Sequence, residues 1–120
     1  MSYQDVLDAA LRRDVVIYTV GIYDSNDTDA DPRVLRELAA STGGEAFFPN
    51  TLDKVEPALQ RIARDIRSSY TIGYVPPAAA AAGRPRKIKV DLHTPDGRKL
   101  AVRARSAYVS GGVEARDGRK

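Results

Sequence analysis

The chain has 120 residues, 42% hydrophobic and 29% charged, a balance that fits one globular domain or part of one. The absence of cysteine excludes a disulfide framework and a thiolate metal site, and no apolar run approaches the roughly 18 residues of a membrane span. The net charge of +3 is unevenly spread: residues 1–83 carry 8 basic and 12 acidic side chains, residues 84–120 carry 11 basic and 4 acidic.

Ser2, with Asp5 three residues on, forms a capping-box pattern, and Val6, Leu7, Ala10 and Leu11 follow at helical spacing. This predicts an amphipathic helix over residues 3–13. No signal peptide is visible, because Met1 leads straight into this polar segment. A helix that opens the sequence so abruptly implies a parent chain that continues upstream. Val15 to Ile22 is a continuous β-branched and aromatic run, expected as a strand buried on both faces. After a polar loop, Asp31 caps a second helix with Pro32 at its first position, where a missing N–H costs nothing. Leu35, Leu38 and Ala39 are its apolar stripe, and Gly43-Gly44 ends it.

Glu45 to Phe48 is a short second strand, stopped by Pro49. Leu52, Val55, Leu59, Ile62 and Ile66 then recur at 3, 4, 3, 4 spacing, the signature of a third helix. Pro57 places its start near Glu56-Pro57 or kinks its first turn. From Tyr70 the period shortens to two, and residues 70–75 read as a strand. Pro76-Pro77, five alanines, Gly83 and Pro85 follow as a loop. Lys87–His93 and Lys99–Arg105 alternate as a hairpin around the Pro95-Asp96-Gly97 turn, with Ile88, Val90, Leu92, Leu100 and Val102 inward and Arg103 and Arg105 outward.

The predicted fold class is α/β, in the order α-β-α-β-α-β-β-β. A partial, Rossmann-like parallel sheet with helices is followed by a C-terminal antiparallel β-meander. Residues 1–110 make a single domain with its C-terminal strands from 70, and residues 111–120, glycine-rich and charged, make a disordered tail.

The segment from Val15 to Asp24, the capped helix after it, the Thr42-Gly43-Gly44 turn into Phe47-Phe48 and the long helix after that together resemble the late part of a von Willebrand factor A domain. Tyr70, Gly73, Tyr74, Arg86, Lys87, Ile88, Val90, Arg103, Arg105 and Tyr108 resemble the tail of the von Willebrand factor A-related proteins of acidobacteria. The resemblance covers roughly residues 3–110. It implies a truncated domain, a protein-interaction or scaffolding module rather than an enzyme, and a parent that is exported. It also implies a divalent cation, Mg²⁺, in the full-length parent only. The family's adhesion motif, Asp-x-Ser-x-Ser, does not occur in this sequence, so no metal residue is carried over and no cofactor is expected in this chain. The strands at 15–22 and 45–48 are expected to present an edge that seeks a protein partner or a second copy.

Three groups of residues bear on chemistry. Asp24, Asn26, Asp27 and Asp29 offer oxygen ligands to a hard cation, but the loop lacks the glycine and the closing glutamate of an EF-hand. A solvated loop leading to the Asp31 cap is the simpler account. Arg86, Lys87, Lys89, Arg103 and Arg105, with Arg84, would form a basic stripe able to meet nucleic acid or an acidic partner, or merely a charged edge that resists aggregation. His93, the only histidine, has Asp91 on the same predicted strand face, yet nothing marks Ser68, Ser69 or Ser106 as a nucleophile beside it.

Overall fold

The structure, a computed structural model, describes residues 1–24, 26, 31–74 and 84–109. The described part is mixed α/β, with three helices and six short strands. The loop at 75–83 and the tail at 110–120 lie outside the described residues.

Helix α1 spans Tyr3–Arg13, the predicted interval. The Ser2 hydroxyl accepts the Asp5 N–H at 3.2 Å and the Asp5 carboxylate accepts the Ser2 N–H at 2.7 Å, so two unpaired helix-end donors are satisfied reciprocally. The helix ends at Asp14 in the left-handed region, φ 63°, a conformation that aspartate tolerates better than most side chains. Its Ala10 and Leu11 are buried, and α1 packs on α2 and on the last strand.

Strand β1, Thr19–Val20, pairs in parallel with β2, Ala46–Phe47, in the register Thr19 to Ala46 and Val20 to Phe47. Helix α2, Pro32–Thr42, connects them and packs on both. Asp31 caps it, its carboxylate accepting the Arg33 N–H at 3.0 Å. Gly43 closes it with φ 88°. Gly44 is then held where a Cβ would overlap the Ile17 carbonyl. That absence of a side chain lets the chain leaving α2 run against the approach to β1.

The strand predicted over 15–22 is corrected to two residues. A strand needs a hydrogen-bonded neighbour, and β2 supplies one only from Glu45 to Phe47, through Thr19 N–H to Glu45 O at 3.2 Å and Gly21 N–H to Phe47 O at 2.9 Å. Upstream, the Ile17 N–H goes to the Thr42 hydroxyl at 3.0 Å instead. Val15, Val16 and Ile22 are exposed rather than buried on both faces.

A 3₁₀ turn, Leu52–Lys54, leads into α3, Val55–Arg67. Pro57 sits in the first turn, where its missing N–H would have found no partner. Residues 70–74 carry no strand: Tyr70 and Ile72 are exposed, and no backbone ladder joins the segment to another of the described residues.

The predicted meander is likewise corrected. Strands β4, Leu92–His93, and β5, Lys99–Leu100, form the predicted hairpin, closed by Gly97 at φ 88°. Outside it, β3, Pro85–Lys87, pairs antiparallel with β6, Ala107–Val109, in a nested arrangement. Between the two pairs the ladder is interrupted, and Val90, Leu92, Leu100 and Val102 are exposed rather than inward. The 102–106 segment lies across the end of α2 instead. There Ser106 N–H donates to the Ser41 carbonyl at 3.1 Å, satisfying a last-turn acceptor of that helix.

Candidate functional site

In the acidic loop, the Asp24 carboxylate accepts the Asn26 N–H at 3.3 Å, a local turn that uses one of the proposed ligand oxygens internally. Asp27 and Asp29 lie outside the described residues. Among the described residues no three acidic, histidine or cysteine side chains gather where they could hold a metal ion.

The basic residues do not share one exposed face. Arg103 turns in to form ion pairs with Glu45 and Asp65, and Arg61 stands 3.6 Å from the same Glu45. Burial works against the Arg103 charge, but the hydrogen bond to Asp65 and the two carboxylate charges outweigh it and raise its pKa. Arg105 pairs with Asp14, and its side chain is 19% exposed, so its predicted outward orientation is corrected. Both residues fall in the stretch without strand pairing, where period-two alternation has no hold. Lys89 faces Asp91 at 3.7 Å. Arg86 and Lys87 lie on β3, with Arg86 in register with Tyr108, whose ring meets Tyr74 edge to face at 6.0 Å.

Asp91 is shared between Lys89 and Lys99, the latter at 3.2 Å, and the predicted Asp91–His93 partnership is replaced by these lysine pairs. The Ser69 hydroxyl donates to Ile66 O at 2.8 Å and the Ser106 hydroxyl to Ser41 O at 3.3 Å.

The arrangement that the sequence left unremarked is the outer face of α3. Arg103–Asp65 and Arg61–Glu45 fasten one side of the helix to the body, and Ala58 on that side is buried. The apolar stripe is turned partly away. Leu52 is 81% exposed, Leu59 54% and Ile66 58%, while Val55 and Ile62 are half-buried. Tyr70 and Ile72, just beyond the helix, are exposed too. The 3, 4, 3, 4 spacing revealed the stripe; only the ion pairs, which join residues 38 or more positions apart on Arg103, reveal which way it faces.

Two grooves border this region. One, of about 340 Å³, lies between Phe47-Phe48-Pro49 and Lys54, Pro57 and Ala58. The other, of about 380 Å³, lies between Arg36, the Gly43–Ala46 stretch and Val102–Ala104. The Arg36 guanidinium stands 4.6 Å from the centre of the Phe48 ring. No helix among the described residues is long and apolar enough to cross a membrane.

Compared with known proteins, the chain matches no family model, no curated protein and no solved structure at a significant level.

Proposed function

We propose that the chain is a protein-interaction module, built as the late part of a von Willebrand factor A-like domain, that acts by binding rather than by catalysis. The observation that carries the reading is the exposed apolar face of α3. A helix with one apolar stripe ordinarily buries it, and an exposed apolar surface of this kind marks a docking site on a folded protein. The parallel β1–β2 pair joined through α2, and the Thr42-Gly43-Gly44 turn between them, support the domain assignment at the level of local architecture. The adhesion motif of that family is missing from the sequence, so the proposed binding is apolar docking and not metal-mediated capture.

The test is capture from an extract of the source cell by the wild-type chain and by Ile66→Glu, with identification of any protein held by the first and lost by the second. That protein, purified, is then titrated calorimetrically. Apolar docking gives a negative heat-capacity change, abolished by Ile66→Glu. A partner held equally by both chains overturns the reading.

A further inference from the structure

We infer that the occupant of the α3 face is a second copy of this chain, docked antiparallel across the helix. The inference rests on the reading of α3 as a docking face and goes further by naming what covers it.

The stripe 52, 55, 59, 62, 66 has the alternating 3, 4 spacing that lets two helices pack along a seam. Val55 and Ile62 lean toward the body of the protein, leaving Leu59 and Ile66 as the outer knobs. Ala63, exposed beside them, is small enough to let a second helix approach closely.

The charges on the outer margin fit one orientation. With 3.6 residues per turn, Glu56 and Arg67 lie on the same side of Leu59, about 60° and about 80° around the helix. They stand near opposite ends of α3, and neither forms an ion pair with another described residue. In a parallel two-fold pair the margin that carries Glu56 and Arg67 lies on opposite sides of the seam in the two copies, so neither charge meets a counterpart from that margin. An antiparallel copy sets Glu56 against the second copy's Arg67, and does so twice by symmetry. The same register brings Leu59 within about half a turn of the second copy's Ile66.

The size of the face sets the strength. Thirteen residues of helix are about 20 Å long, and Tyr70 and Ile72 extend the patch past the helix end. A strip that long and one helix diameter wide, about 10 Å, covers on the order of 200 Å², less than the roughly 800 Å² per partner of a standard stable interface. A weak, reversible dimer follows, with a dissociation constant on the order of micromolar to hundreds of micromolar.

Sedimentation equilibrium of the full chain across that concentration range tests the inference, with circular dichroism confirming that each variant keeps its helices. The wild type is expected to dimerise reversibly, and Leu59→Glu to weaken the dimer at least tenfold. Glu56→Arg alone and Arg67→Glu alone are each expected to weaken it severalfold. An equimolar mixture of those two variants restores association, because each cation then faces a carboxylate in the antiparallel pair. A wild-type chain that is monomeric throughout overturns the dimer, as does a dimer indifferent to the swaps. Either result, obtained while a captured partner is still lost in Ile66→Glu, leaves the docking role of the face standing and removes only the second copy as its occupant.

Discussion

Arg103, in the segment after the β4–β5 hairpin, reaches Asp65 on α3 and holds the helix by the side next to the half-buried edge of its apolar stripe. The same guanidinium also meets Glu45 at the start of β2, so three separate parts of the chain converge on one cation. Replacing Arg103 with leucine leaves two carboxylates close together without their common counter-ion. Because the Arg103 side chain is 41% exposed, solvent screening limits the loss, and about 1 kcal/mol is expected. Adding Asp65→Asn to the leucine variant should recover part of it. A urea denaturation series on the single and double variants measures the coupling. Additive effects would show that Arg103 and Asp65 do not cooperate.

Thr42 makes the stronger local prediction. It is 1% exposed; its hydroxyl accepts the Ile17 N–H at 3.0 Å and lies 3.1 Å from the Leu38 carbonyl and 3.0 Å from that of Ala39, to which it donates. Thr42→Val keeps the shape but leaves the Ile17 N–H without its acceptor, at a cost of about 1–3 kcal/mol. Thr42→Ser keeps the hydroxyl and loses one methyl, and should be the milder change. Thermal unfolding of the two variants ranks them, and a serine variant as unstable as the valine variant would move the explanation from hydrogen bonding to packing.

Local signals account for most of what the sequence conveyed. Ser2 and Asp5, Asp31 and Pro32, Gly43 and Gly97 each act within a few residues of themselves, so the helix bounds and the hairpin turn could be read directly. What escaped depended on contacts between distant positions. Tyr70 to Tyr74 has the alternation of a strand but no strand partner among the described residues, and alternation does not supply one. Period-two alternation places Arg103 and Arg105 outward, but that period holds only inside a ladder. Their true orientation follows from Glu45, Asp65 and Asp14, far away in sequence. The stripe on α3 was legible as a stripe; its exposure was not, because periodicity gives the side of a helix that is apolar without giving what lies against it.

Glycines 43, 44 and 73 separate two kinds of backbone requirement. At Gly44 a Cβ would overlap the Ile17 carbonyl, so Gly44→Ala must push the chain leaving α2 away from the approach to β1. Overpacking of this kind costs about 1–3 kcal/mol or more. At Gly43 the penalty has two sources, a φ of 88° and the Arg105 backbone nitrogen, which would lie 2.8 Å from a Cβ. Gly73 has open space and no such φ, so Gly73→Ala is expected to be neutral within a few tenths of a kcal/mol. Chemical denaturation of the three variants should order them with Gly73→Ala closest to the wild type. A Gly44→Ala variant of unchanged stability would contradict the close approach of the two segments.

Acidification should reveal the helix caps. The Arg33 amide donates to Asp31, and the Arg33 side chain adds a second bond, so the Asp31 carboxyl is held below the usual aspartate range. The Ser2 amide and hydroxyl do the same for Asp5. A carboxyl whose pKa is lower in the folded than in the unfolded chain stabilises the fold fully above its unfolded value, about 3.9. That contribution disappears as the pH falls through the lower, folded value. Stability should therefore be insensitive to these groups near neutrality and decline below about pH 4. Asp31→Asn keeps an oxygen that can accept the Arg33 N–H and removes the titration. Its urea midpoint near neutral pH should lie close to that of the wild type, while its loss of stability on acidification should be shallower. Parallel curves for the two proteins across the acid range would mean that Asp31 is not held by its cap in solution.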